Sequence, residues 1–318
     1  MTAYIIRRLL IGLIVLVVVS MLVFVVLREL PGDPLFLYIA ENRYESLTPA
    51  DLQALRVEYG LDKSIPEQYA VWVGKLLHGD LGASVMYHMN VADLIRKALP
   101  ITVSLSLVSI IVAAILGITF GAISALRRGK WADAVVTMLA NLGITAPGFW
   151  LAIILMFVFA LKLGWLPPYG YVSPFTDFGQ YVKHAIMPVV CLAIFPIGAL
   201  TRQTRSSMLE VIRQDYIRTA WSKGLKERII VIRHMLKNAL IPIITLVGMQ
   251  LRMVFSGAVV IETVFNIPGM GRLSVDALFA RDFMIVQDVV LIISAIVILA
   301  NLLVDVAYGV VDPRIRYN

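Results

Sequence analysis

Side chains able to do charge chemistry are densest between Arg202 and Pro242, RQTRSSMLEVIRQDYIRTAWSKGLKERIIVIRHMLKNALIP. Nine Lys/Arg (Arg202, Arg205, Arg213, Arg218, Lys223, Lys226, Arg228, Arg233, Lys237) stand against three acids, Glu210, Asp215 and Glu227. A basic stretch between segments apolar enough to cross a bilayer is expected on the cytoplasmic side. Three jobs fit it: fixing topology, binding anionic lipid, or docking a cytoplasmic protein. Its apolar residues recur near helical spacing (Met208, Val211, Ile212, then Ile217, Ala220, Trp221), which predicts short amphipathic helices.

A second charge stands apart. Arg252 follows fourteen uncharged residues, Asn238 to Leu251, and precedes nine more, Met253 to Ile261, so it falls near the middle of a span. A cation there costs about 2.5–3.5 kcal/mol on insertion scales, which disfavours a lipid-facing position. Glu262 is about 15 Å away along a helix, too far for a direct pair. Two roles remain. Arg252 could lie on a translocation path with Met249, Gln250 and Ser256, holding a passing carboxylate through paired hydrogen bonds. It could equally tie two helices together through backbone carbonyls.

Other chemistry is missing. There is no GxxxxGK[ST] phosphate loop and no Gly-x-Ser-x-Gly nucleophile. His78, His88, His184 and His234 are scattered, and none pairs at metal-ligand spacing. Cys191, the one cysteine, sits in an apolar run and reads as a small buried hydrophobe. No metal site, resident cofactor or catalytic constellation is expected.

The elements that must position these residues are membrane spans. Of 318 residues 59% are hydrophobic and 15% charged, with the apolar ones gathered in long runs. This is an all-α membrane protein, and the net charge of +7 belongs to cytoplasmic loops and a membrane lipid surface, not to nucleic acid. Leu9–Leu27 is an uncharged first span behind Arg7 and Arg8, without a small-residue cleavage site. Residues 28–99 carry seven basic and ten acidic residues and are expected to form a small external helical region. Thr48-Pro49-Ala50-Asp51 is a helix start with Gly60 as its stop, and Pro66–Leu77 a second short helix. Further spans are expected at Pro100–Leu126, at Ala134–Leu161 with Pro147-Gly148 tolerated inside it, and at His184–Thr201. Asn238–Ile261 and Val289–Val311 complete six. The basic turn Arg127-Arg128-Gly129-Lys130 and both termini then lie in the cytoplasm. The domain division is residues 1–27, 28–99 and 100–318.

Several stretches, in order, resemble one family. They are Leu30-Pro31-Gly32-Asp33-Pro34, Tyr59-Gly60-Leu61-Asp62 with Gln68-Tyr69, and His78-Gly79-Asp80-Leu81-Gly82. Asp215-Tyr216-Ile217-Arg218-Thr219-Ala220 through Lys223-Gly224-Leu225 follows, then Asn238-Ala239 leading to Pro242. The last two are Glu262 to Arg272, and Asn301 to Asp305 with Asp312 to Arg316. Together they resemble the inner-membrane permease of dipeptide, oligopeptide and nickel ABC importers, the member of the pair with the longer first outer loop.

The resemblance implies a type I importer permease fold and four kinds of partner. These are a second related permease, two cytoplasmic ATPases that carry ATP and Mg, an external solute-binding protein, and lipid. It implies an ATPase-docking loop with Asp215, Tyr216, Arg218, Thr219, Ala220, Trp221, Lys223, Gly224 and Leu225. The wider superfamily has Glu-Ala-Ala, three residues, then Gly there; this chain has Arg218, Thr219, Ala220 and Gly224. Tyr216 and Trp221 are either docking anchors or rings seated among headgroups. Glu262, Phe265, Asn266, Pro268 and Gly269 are implied to form an external gate or turn. A peptide is the leading substrate, with an oligosaccharide, glutathione or a nickel chelate as alternatives. A self-contained secondary transporter or channel should show midplane ionisable pairs and inverted repeats, for which Arg252 alone is thin support.

Overall fold

A computed structural model of the chain describes residues 2–29, 50, 53, 56–57, 62–84 and 86–311. The described residues form helices and no strand, with a single bridge between Ala83 and Asn90. The helices are α1 (Thr2–Glu29), α2 (Ile65–Leu77), α3 (Val91–Leu126), α4 (Trp131–Thr145), α5 (Gly148–Leu155) and α6 (Phe178–Val211). They continue with α7 (Asp215–Ser222), α8 (Glu227–Ile229), α9 (Lys237–Val264), α10 (Met270–Phe279) and α11 (Phe283–Val311). Wide π-type turns extend α5 through Met156–Lys162 and carry α8 through Ile230–Leu236 into α9. The helix start at Thr48, the stop at Gly60 and the Asp312–Asn318 tail lie outside the described residues.

Five of these helices are long and apolar enough to cross a membrane. Where the sequence suggested one continuous helix, α4 and α5 meet at 106°, the geometry of a broken span or of a re-entrant loop. Pro147 is the cause. It pushes Ala146 out of the helical region to ψ 124°, as a residue before proline is pushed, and α5 restarts behind it. Pro100, by contrast, lies inside α3, which starts at Val91 rather than at the proline.

α6 also overruns its expected bounds, His184–Thr201. Its 34 residues reach about 51 Å, well past a hydrocarbon core of roughly 30 Å. Arg202 and Arg205 therefore lie on this helix and not in a loop. The helix persists because Thr204, Ser207 and Met208 keep a buried face at helical spacing.

Two compact units can be distinguished. The first comprises Met1–Ile5, Thr102–Ile267 and Leu299–Asn318. Here α6 is packed through small residues. A Cβ at Gly121 of α3 would stand 2.6 Å from the Thr201 carbonyl, and one at Gly117 equally close to Leu200. Within lipid, such close approach supplies the contact that hydrophobic burial cannot. Asp133 on α4 anchors the same bundle. Its carboxylate accepts two hydrogen bonds from Arg205, at 2.8 and 2.9 Å, one from the Gly129 N–H at 2.9 Å and one from the Ser124 hydroxyl.

The second unit comprises Ile6–Ile101 and Pro268–Ile298. α2 begins with a capping arrangement in which the Ser64 N–H donates to Glu67 at 3.0 Å. Hydrogen bonds from the Ser64 hydroxyl, at 2.8 Å, and then from its N–H hold the Glu67 carboxyl below its usual range. Phe24 of α1 sits between Tyr69 and Trp72, and the Trp72 Nε1–H donates to Asp288 at 3.0 Å. The Ser84 hydroxyl and Met86 N–H both donate to buried Asp282. Leu27, Val91, Ile95, Phe283, Val286 and Val289 complete this core.

Candidate functional site

The basic segment builds a small two-faced helix. In α7, Ile217 and Ala220 are buried and pack on Ala125, Met208, Ile230, Met235 and Ala239. The opposite face exposes Tyr216 and Trp221, each about half accessible, with Asp215, Arg218 and Thr219 between them. Asn238 donates to the Tyr216 hydroxyl at 3.1 Å, joining the start of α9 to this helix. Arg218 faces Asp215 loosely, at 3.7 Å, in full solvent. Gly224 closes the helix at φ +69°, a left-handed conformation that glycine adopts without strain. The Gly224 N–H donates to Trp221 and the Leu225 N–H to Ala220, the paired bonds of a Schellman ending. Lys223, Gly224 and Leu225 are all exposed, so the turn belongs to the same open surface.

The second group lies on α9. Thr245, Met249, Arg252, Met253, Ser256, Val260 and Thr263 are exposed and recur every three or four residues, forming one stripe. Arg252, Met249 and Ser256 thus share a face, as a pathway would require. Gln250 does not: it is buried on the other side of the helix, because its position falls between turns of the stripe. Arg252 has no ion-pair or side-chain hydrogen-bond partner among the described residues. Beside the stripe, Met253, Gly257 and Val260 open onto a hollow of about 260 Å³, lined also by Phe149, Cys191, Leu192 and Phe195. A thiol, a thioether, rings and methyls make it an apolar surface with no ligand set for a metal; no cluster of three metal-binding side chains occurs among the described residues.

The third group closes α9. Glu262 is fully buried and accepts a 2.6 Å hydrogen bond from Thr102, so it holds α9 to α3 rather than facing outward. Phe265 is buried, and its carbonyl accepts from the Gly170 N–H at 2.8 Å, fastening the 163–177 loop. Asn266 adopts φ +55° and ends the helix as Gly224 ends α7, with the Ile267 N–H donating to Glu262. In the other unit, Pro268 is exposed and Gly269 caps α10 in an extended conformation. They line a hollow with Tyr87, Lys97 and Arg272.

These features describe a membrane bundle with a presented surface helix. Residues 117–317 match the family described as binding-protein-dependent transport system inner membrane component, and residues 1–106 match the N-terminal segment of such components. The chain belongs to this permease family. It is a multi-pass inner-membrane permease of a binding-protein-dependent ABC importer. A putative peptide permease protein of Brucella ovis is 40% identical, over 99% of each chain. The oligopeptide transport system permease protein AppB of Bacillus subtilis is 39% identical over 100% of each. The permease shares its fold with the inward-facing MetNI methionine ABC transporter, at a TM-score of 0.57 and 17% identity over 69% of this chain and 96% of that one.

Two residues central to the permease's bundle went unnoticed at the level of motif. Asp133 and Ser124 flank the basic turn at 127–130, and the visible signal was an acid just inside a span that starts beside three cations.

Proposed function

We propose that this permease forms half of the translocation path of a peptide importer, beside a second, related permease that covers the exposed stripe of α9. The single observation that carries this is α7, an amphipathic helix whose underside is fixed to the bundle while its aromatic and basic face stays open. A short helix of this build fits a groove on a partner and transmits its motion as a rigid body. Two cytoplasmic ATPases would complete the importer, with α7 and the rest of the basic segment through Lys237 as this chain's ATPase-docking surface. ATP and Mg belong to those subunits, since this chain has no phosphate cradle. Residues 28–99 lie outside in this reading, both termini inside, and an external solute-binding protein delivers the cargo near the turn at 262–269.

Peptide as cargo is supported by the relatives' names and by Arg252, a carboxylate-binding group at the middle of the stripe. The apolar hollow beside it suits uncharged side chains. An oligosaccharide, glutathione or nickel chelate co-purifying with the partner binding protein would replace the peptide assignment.

The test is Gly224→Pro in the complete assembly. Proline cannot adopt φ +69°, and no neighbour crowds this position, so the change acts on the helix ending alone. ATPase subunits should fail to assemble, or their hydrolysis should uncouple from uptake. Normal assembly with normal uptake would refute docking at α7. Orientation is checked separately by cysteines in a Cys191→Ser background. An impermeant reagent should reach position 78 in intact cells and not position 214.

A further inference from the structure

The end of α1 holds a charged group outside the surfaces described above. Arg28 lies at the border of the helix: one turn back, Phe24 is fully buried while Val25 is exposed. Its guanidinium stands 4.3 Å from the Phe24 ring centre and 5.8 Å from that of Phe283, so aromatic faces fix its plane. Nε donates to Gln68 at 3.1 Å. Nη1 is buried and has no hydrogen-bond partner among the described residues. A charged donor shut from water and unpaired is costly, and it calls for an anionic acceptor.

Arg28 borders a cleft of about 60 Å³, with buried Trp72 on one side and exposed Lys63 and Lys75 on the other. Asp80 also lines it, but its Oδ1 already accepts from the Gly82 N–H at 2.9 Å. Among the lining residues three cations thus meet one engaged carboxylate, with Glu67, held by Ser64, facing Lys63 from outside the lining. The cleft is open to solvent and has room for a carboxylate- or phosphate-sized head.

We propose that this cleft binds the phosphate of an anionic membrane lipid. α1 is the most apolar of the spans and is mostly exposed along its length, with Val18, Leu22, Val25 and Val26 open to the bilayer. Its apolar run stops at Arg28, which sets the guanidinium at headgroup depth, where long cationic side chains meet lipid phosphates. Val71, also exposed, lines the cleft beside the lysines and gives the glycerol end an apolar shoulder. A cluster of cations at the mouth of a span holds a phosphate through charge-assisted hydrogen bonds.

The experiment uses the full chain, extracted in mild detergent with the subunits that accompany it, and native mass spectrometry of retained lipid. The probes are phosphatidylglycerol, phosphatidylcholine with the same acyl chains, and inorganic phosphate. Phosphatidylglycerol should be retained over phosphatidylcholine, and inorganic phosphate at equal concentration should not displace it. Arg28→Gln should lower retention about tenfold. Lys63→Gln with Lys75→Gln should lower it by about fivefold per charge. Both lysines are exposed, so the double variant folds whatever Arg28→Gln does. Undiminished retention in the double variant overturns the proposal. Displacement by inorganic phosphate reassigns the cleft to a free ion and also overturns it. If the double variant keeps its lipid but loses stimulation of ATP hydrolysis by the external binding protein, the cleft takes a protein carboxylate and the lipid assignment falls.

Discussion

Arg205 on α6 and Arg252 on α9 both interrupt helices long and apolar enough to cross the membrane. Arg205 gives two N–H groups to Asp133 in a bidentate pair, and that carboxylate is completed by Ser124 and the turn at Gly129. Arg252 has no such partner among the described residues, and it lies on the exposed stripe of its helix. One arginine is internal structure, while the other is presented to whatever adjoins this chain. The difference separates what the subunit needs in order to fold from what it offers to a partner or a cargo.

The largest expected effect is on the satisfied pair. Asp133→Ala removes the acceptor of five donor atoms, on Arg205 (two), Gly129, Thr137 and fully buried Ser124. Breaking a buried ion pair from one side costs roughly 3–5 kcal/mol, and the low end, about 3 kcal/mol, applies here because the Arg205 side chain is 31% exposed. Thermal unfolding in detergent should show a large loss of stability, with little assembled complex recovered. Arg205→Gln should cost less, about 1–3 kcal/mol, because Ser124 and Gly129 still donate to the remaining carboxylate. If the two variants unfold like the wild type, Arg205 is no more structural than Arg252 and the comparison collapses.

Arg252→Gln should behave in the opposite way. With no partner to lose, the chain should unfold at an unchanged temperature and assemble normally. Uptake should fall about tenfold, the value of one charge-assisted hydrogen bond to the cargo. Arg252→Lys keeps the charge without the fork and should fall in between. Failed assembly, with normal transport by the complex that remains, would make Arg252 a tie to the second permease. The carboxylate inference would then fail.

Much of this contrast was legible before any coordinates. The isolation of Arg252 in an uncharged run predicted a special environment, and the 3.6-residue period explains why Met249 and Ser256 join it. The same period excludes Gln250, which adjacency in sequence had grouped with them. The closing residues Gly224 and Asn266 were recognisable because few side chains tolerate positive φ. Less legible was how far each helix runs. Arg202 and Arg205 looked like loop residues because charge suggested solvent, whereas a buried face at Thr204, Ser207 and Met208 carries α6 onward. Pro100 and Pro147 carry the same local signal; one lies within a helix and the other between two helices. Nothing local shows which neighbours will re-satisfy the backbone. Asp133 was invisible as a site since its partners lie four, nine and seventy-two residues away.

A third arginine sharpens the contrast and carries the smallest effect on stability. Arg218 stands on the open face of α7, facing Asp215 at 3.7 Å, with side chains 76% and 96% exposed. Water and salt screen such a pair, and its geometry is too loose for a bidentate contact. Arg218→Ala should therefore leave the unfolding temperature unchanged at low and high salt alike. Any consequence should appear only in the assembled importer. The family resemblance sets Arg218 where the wider superfamily has a glutamate, so a partner groove shaped for this chain would oppose it with acidic or neutral groups. Arg218→Glu should then weaken ATPase assembly more than Arg218→Ala does, with a dependence on ionic strength. Equal assembly by both variants would leave the charge at position 218 out of the docking proposed for α7 and rest that proposal on Tyr216 and Trp221. A fall in unfolding temperature for Arg218→Ala would mean that the exposed pair is structural after all, and the line drawn between Arg205 and the presented arginines would have to move.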